Sequence, residues 1–135
     1  MGSRMRHASW ALGDFYLTRV DYANFLAALV VSAADNLEGI LARGDDNALL
    51  RFALGAEYLK AGALDKAVQH LGVAVTIDPD YSAAWKLLGK AQAGAGLTAA
   101  ASETYLKGIE AATRCGDRQS AKEMEVFLKR LERSG

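Results

Sequence analysis

The stretches LGAEYLKAG (residues 54–62) and LGKAQAGAG (residues 88–96) decide the fold, because they repeat one pattern 34 residues apart. Both open on Leu-Gly and close on glycine. At the same offset, Ala67 falls on Ala101 and Leu71 falls on Tyr105. A period of this length predicts stacked units of two helices each, since one such unit cannot bury its apolar face alone.

The small residues at the repeated positions predict a close helix crossing. Gly55 and Gly89 lack a Cβ atom, so the second helix of each unit is expected to approach the first closely. Ala67 and Ala101 are expected to meet these glycines from the second helix. The larger side chains expected to fill the crossing are Leu54, Tyr58 and Leu71 in the first copy, and Trp85, Leu88 and Tyr105 in the second.

Glycine and proline mark the predicted helix ends. Gly62 and Gly96 are expected to adopt the left-handed conformation that commonly follows a helix. Pro79, the one proline of the chain, is expected to end the second helix of the first copy, because proline disfavours helix at the preceding residue. Four polar residues are predicted to cap helix N-termini: Asp35, Asn47, Thr98 and Asp117.

This pattern resembles the tetratricopeptide repeat (TPR) family over residues 48 to about 115. The resemblance implies an all-α fold, a right-handed helical solenoid of two TPR helix-turn-helix repeats with an N-terminal helix and a C-terminal capping helix. The second copy departs from the family pattern at Gln92, Gly108 and Thr113, which indicates a looser terminal repeat. The implied organisation is an N-terminal helical extension over 1–47, a first repeat over 48–81, a second repeat over 82–115 and a capping helix over 116–135.

The C-terminal sequence VFLKRL (residues 126–131) is also similar to small bacterial TPR proteins, which implies a cytoplasmic protein. The uncharged segment 25–34 leaves two interpretations open. It belongs to a packed helix over residues 24–42, or it forms the apolar core of an export signal. Asp14 and Asp21 weaken the second interpretation, because a signal needs a positive flank.

The composition disfavours several classes of function. Lysine plus arginine and aspartate plus glutamate number 16 each, so no net field draws the chain to nucleic acid or an anionic membrane. The two histidines, His7 and His70, are not spaced as metal ligands, and the single Cys115 cannot form a closed thiolate site. A glycine-rich phosphate loop is missing as well. We therefore expect no metal and no cofactor.

An apolar strip on the first repeat helix is the predicted partner-binding surface. Leu49, Phe52, Ala56 and Leu59 fall on the side that would face the inner groove of a solenoid. Three occupants remain open for this strip: the chain's own helix over 24–42, a peptide of another protein, or a second copy of the chain.

Lysines extend the predicted site. Lys86 and Lys90 lie one helical turn apart, with Lys60 expected nearby, and they either attract an acidic peptide or form a solvated face. TPR domains that clamp a C-terminal carboxylate carry asparagines and basic residues where this chain has Phe52, Ala56 and Leu87. The resemblance therefore argues against that clamp and for a more apolar ligand.

The predicted function is a protein–protein interaction scaffold or adaptor that binds a peptide or protein segment on the inner groove. The alternative is a self-association module that pairs copies through the apolar N-terminal helix and the inner strip. A distant alternative is an enzyme that uses Cys115 with His70 as its base. No third orienting group accompanies that pair in the sequence, so we predict no catalytic residues and no enzyme.

Overall fold

The computed structural model describes residues 33–134 of the chain, and these residues form helices joined by short turns. The predicted extension over 1–47 therefore falls mostly outside the described residues. Residues 33–42 are helical and are called α1. The helices that follow are α2 (Ala48–Lys60), α3 (Leu64–Ile77), α4 (Ser82–Gly94), α5 (Thr98–Arg114) and α6 (Arg118–Ser134). None of residues 33–134 lies in a β-strand.

The helices pack in sequential order, as a stack of helical pairs requires. α2 packs on α3, α4 on α5, and α6 closes the stack against α5. In addition α2 contacts α4, and α4 contacts α6, so the first helices of successive pairs line up along one side. The predicted all-α solenoid is confirmed.

Three of the turns between helices use the same glycine closure. Gly62, Gly96 and Gly116 have φ values of 77°, 80° and 74°. In each turn the residue after the glycine donates its N–H to a carbonyl in the last helical turn: Ala63 to Tyr58 at 2.9 Å, Leu97 to Gln92 at 2.9 Å, and Asp117 to Ala112 at 2.8 Å. Such closures satisfy carbonyl groups that a helix end leaves free. The predictions for Gly62 and Gly96 are confirmed, and Gly116 adds a third turn that the sequence reasoning missed.

Two of the predicted N-caps are confirmed and two are wrong. The side chain of Asn47 accepts from Leu50 N at 2.8 Å, and that of Asp117 accepts from Ser120 N at 3.1 Å. Thr98 is already the first residue of α5, because Leu97 occupies the capping position directly after the glycine turn. Asp35 does not open a helix either, because residues 33 and 34 are helical and leave no free helix start there.

The close crossings depend on the two repeated glycines. Leu54, Ala67 and Leu71 are completely buried, and a Cβ atom added at Gly55 would overlap the Leu71 side chain. An added Cβ at Gly89 would likewise overlap the ring of Tyr105. Since protein interiors are close-packed, neither neighbour has free space into which to withdraw.

The departure from the repeat pattern at Gly108 has a physical explanation. A Cβ atom at this position would lie 2.5 Å from Met124 Sδ and 2.8 Å from Trp85 Cβ. Met124 is fully buried, so α6 approaches α5 more closely than an alanine at position 108 would permit. The absent methyl group therefore fits the capping helix onto the second pair.

Replacing Gly89 by alanine is expected to destabilise the fold by about 1–3 kcal/mol, because it overfills the crossing. Gly72→Ala is the matched control, since Gly72 lies inside α3 with no atom near its missing Cβ. That change is expected to stabilise by about 0.5–1 kcal/mol through the higher helix propensity of alanine. Urea unfolding followed by circular dichroism measures both. Equal effects of the two substitutions would contradict the close crossing.

Candidate partner-binding groove

The first wall of the groove is α2, and its apolar strip is open to different degrees. Leu49 is 67% exposed, whereas Phe52, Ala56 and Leu59 are half-buried. Phe52 stacks on Tyr81 with ring centroids 5.0 Å apart, and Leu59 packs against the core between the two pairs. Phe52 and Leu59 thus help to hold the two helical pairs together. Leu49 is the most accessible residue of the strip.

An apolar cleft borders Leu49. It lies between α1 and α2, has a volume of about 320 Å³ and is lined mainly by leucine, isoleucine and alanine side chains. Ile40 at its rim is 36% exposed, and the carboxylate of Asp45 adds a polar edge. Residues 33–42 therefore leave Leu49 open. The remainder of the predicted helix over 24–42 lies outside the described residues, so its covering of the strip stays a prediction.

The second and third walls are α4 and α6, which an ion pair joins. Lys86 Nζ lies 2.8 Å from Glu123 Oε2. The hydrogen bond from Lys86 lowers the pKa of Glu123, with further lowering by a bond from Gln119 and by the charge of Lys90. Lys86 is thus engaged within the protein. The third predicted cation, Lys60, is exposed and pairs at 3.4 Å with Glu57 of its own helix.

Lys90 lies over the aromatic ring of Phe127. Its Nζ is 4.9 Å from the centroid of Phe127, and Arg130 Cζ is 6.0 Å from the same centroid. Phe127 also packs on Tyr105, with centroids 5.9 Å apart. The sequence singled out Lys90 but not Arg130, because the contact between α4 and α6 depends on their relative register.

The residues predicted to bind a partner therefore lie on α2 and α4, the first helices of the two pairs. Leu49, Phe52, Ala56 and Leu59 lie along α2, with Lys60 at its end, and Lys86 and Lys90 lie on α4. Whether these residues bind a partner stays a prediction.

His70 takes part in a structural network. Its ring is buried, Arg51 Nη1 lies 3.0 Å from Nδ1, and Glu38 Oε1 lies 2.9 Å from Nε2. A guanidinium only donates, so Nδ1 accepts and Nε2 carries the proton that is donated to Glu38. Glu38 also accepts from the hydroxyl of Tyr58 at 2.9 Å, which fastens α1 to the first helical pair.

Arg51 is held in turn by Asp46. Two hydrogen bonds of 2.9 and 3.0 Å join the guanidinium to the carboxylate. They lower the pKa of Asp46 and raise that of Arg51. Arg51 occupies the position that Trp85 occupies in the second copy, so a polar network replaces an aromatic side chain at the N-terminal end of the stack.

Cys115 has surroundings of a different kind. It is exposed at the end of α5, and its Sγ lies 3.1 Å from the carbonyl oxygen of Ala111 and 3.6 Å from that of Asp80. Among residues 33–134, the polar partners of His70 are Glu38 and Arg51, so the two candidate residues share none.

Within residues 33–134, no three histidine, cysteine, aspartate or glutamate side chains gather as a group that could hold a metal ion. The helices in this part of the chain are also too short or too polar to cross a membrane.

The stacked pairs and the exposed groove define the chain as a helical-repeat protein. The tetratricopeptide repeat family profile matches residues 58–124. The TPR repeat-containing protein PA0015 of Pseudomonas aeruginosa is 51% identical over 100 residues, which are 74% of this chain and 95% of that protein. The chain therefore belongs to the tetratricopeptide repeat family.

Two further similarities extend this finding. The solution structure of protein BPP2914 from Bordetella parapertussis has 46% sequence identity and a TM-score of 0.66, over 75% of this chain and 88% of that one. The heat-shock protein cognate co-chaperone sgt12 of Aspergillus fumigatus is 34% identical over 77 residues. Those residues are 57% of this chain and 23% of sgt12, so the likeness concerns one part of a larger protein.

The third wall of the groove depends on Asp117, which caps the N-terminus of α6. Its carboxylate accepts from Ser82 Oγ at 2.7 Å as well as from Ser120 N. Hydrogen bonds from Ser120 and then from Ser82 lower the pKa of Asp117 to about 2. One carboxylate thus joins the start of α4 to the start of α6.

This low pKa predicts an acid-sensitive contribution to stability. The folded pKa lies below the unfolded value of about 3.9, so the contribution is complete above pH ~4 and is lost as the pH falls toward 2. Asp117→Asn is expected to flatten the decline in stability over that interval. Thermal melts between pH 2 and pH 5 test this, with Glu110→Gln as the control, since Glu110 accepts no side-chain hydrogen bond among residues 33–134. An unchanged slope for Asp117→Asn would contradict the assignment.

Proposed function

We propose that the chain is a scaffold or adaptor whose groove binds a peptide or segment of another protein. Protein–protein interaction is the general role of TPR domains, and the name of the relative sgt12 describes a co-chaperone. The observation that carries the proposal is the exposure of Leu49 beside an apolar cleft. Full burial of a leucine side chain contributes about 1.5–3 kcal/mol. A ligand that packs an apolar side chain on Leu49 would therefore gain affinity, because the contact removes apolar surface from water.

The proposed binding surface consists of seven residues of α2 and α4. Leu49, Phe52, Ala56 and Leu59 supply apolar contacts, while Lys60, Lys86 and Lys90 supply positive charge. Phe52 and Leu59 also support the stack, so their replacement would mix folding with binding. Leu49 is consequently the residue of choice for a test.

The proposed organisation keeps the two repeats at 48–81 and 82–115, between an N-terminal extension over 1–47 and a capping helix over 116–135. We place the protein in a reducing compartment such as the cytoplasm. A single exposed cysteine supports this location, because exposed thiols persist where disulfides are rare. An enzymatic role receives no support from the contacts of Cys115 and His70.

Photo-crosslinking in the native host tests the groove. A photoreactive amino acid at position 49 is expected to yield adducts with another protein, whereas the same group at position 106 is not. Leu106 is the matched control, since it is a 54%-exposed leucine on α5, the second helix of its pair.

Each outcome has a defined meaning. Adducts of twice the chain mass at position 49 alone would favour self-association over a foreign partner. Adducts of twice the chain mass at both positions would overturn the groove as a binding surface. A lack of any adduct at position 49 would overturn it as well. Ala83 lies on α4, at the position that the 34-residue offset aligns with Leu49. Leu49→Glu is expected to remove crosslinks formed from a photoreactive group at Ala83, whereas Leu106→Glu leaves them unchanged.

A further inference from the structure

We propose that the segment bound in the groove is apolar at one end and acidic at the other, with its acidic end attracted by Lys90 and Arg130 beside the ring of Phe127. This inference rests on the proposed function and specifies the chemistry and direction of the ligand. Three observations support it: two available cations near one ring, an apolar strip on α2, and Asp45 in the cleft between α1 and α2.

The two cations differ from their neighbour Lys86. Lys86 is paired with Glu123 at 2.8 Å, whereas among residues 33–134 neither Lys90 nor Arg130 has a carboxylate within 4 Å. Lys86 is therefore neutralised by its partner, while Lys90 and Arg130 keep their positive charges for a ligand. Both of the available cations are exposed, so their attraction for a ligand is moderated by solvent.

Both cations lie near the ring of Phe127. The ring attracts both positive groups through its electron-rich face, and packing on Tyr105 fixes its position. A cation above a ring keeps N–H groups free to donate. The ammonium group of Lys90 and the planar guanidinium of Arg130 would thus both offer donors to the acidic end of a ligand.

The opposite end of the groove has the opposite character. Leu49 lies on α2 beside the apolar cleft, and Asp45 lines the same cleft. A carboxylate would be repelled there, while an apolar side chain would be desolvated. The acidic end of a ligand is therefore expected at α6 and its apolar end at α2, because the reverse direction places like charges together.

This arrangement lies outside the positions of the carboxylate clamp. Phe52, Ala56 and Leu87 occupy the clamp positions of α2 and α4 and carry no charge. The acid-binding pair proposed here comes instead from the later turns of α4 and α6. Half-buried Leu87 continues the apolar strip toward that pair.

Selection from a displayed library of random twelve-residue peptides tests the proposal on the full-length protein. Peptides retained by the wild type are expected to be enriched in aspartate or glutamate on one side of leucine, isoleucine or phenylalanine. For a synthetic copy of a selected peptide, Lys90→Glu with Arg130→Glu is expected to weaken the Kd about tenfold or more, because two charge pairs become repulsive.

The matched control is Lys107→Glu with Arg114→Glu, which changes the net charge equally on exposed positions of α5. It is expected to change the Kd less than threefold. The wild-type affinity is also expected to fall as salt rises from 50 to 500 mM. If the charge-reversed groove variant fails to fold, Lys90→Gln with Arg130→Gln provides the same comparison without repulsion.

The outcomes separate this inference from the proposed function. Selected peptides that are apolar without acidic enrichment, and that lose affinity in Leu49→Glu, would retain the groove and overturn the acidic end. Enrichment of basic residues, or equal weakening by the control pair, would also overturn it. If the library yields no binders, while crosslinking at position 49 also fails, both proposals fall.

Discussion

The close crossing of two helices at a glycine is the constraint on which the rest of the structure depends. At Gly55 and Gly89 the second helix of each pair places a large side chain where a Cβ atom would otherwise lie. This contact sets the separation within each pair. The spacing of α2, α4 and α6 follows from it, and so does the groove along them. The groove is thus a product of backbone geometry as much as of its own side chains.

The parts of the fold that depend on local chemistry could be predicted from the sequence. A left-handed residue after a helix favours glycine strongly, so Gly62 and Gly96 were identifiable, and Asn47 carries a side chain suited to capping. The prediction that Thr98 caps α5 was wrong for a related reason. The glycine turn before α5 already supplies the helix start, and a polar residue one position later adds no cap there.

The groove was predictable only where the repeat period holds. Leu49 and Lys90 lie on the two helices that the 34-residue offset aligns. α5 has 17 residues, whereas its counterpart α3 has 14, so the offset no longer gives the register of α6. The meeting of Lys90, Phe127 and Arg130 depends on that register. The network from Asp46 to Glu38 was missed for another reason, since it joins side chains of α1, α2 and α3, and the repeat period does not give the placement of α1.

The sequential packing also has a consequence for how the chain loses its structure. Each helical pair touches only its immediate neighbours, so the molecule behaves as a short one-dimensional lattice in which coupling passes from layer to layer. α4 contacts α2, α3, α5 and α6, and it is therefore the layer that both halves share. Local unfolding that starts at either end reaches α4 last. Hydrogen exchange of the backbone amides of α4 therefore reports global unfolding.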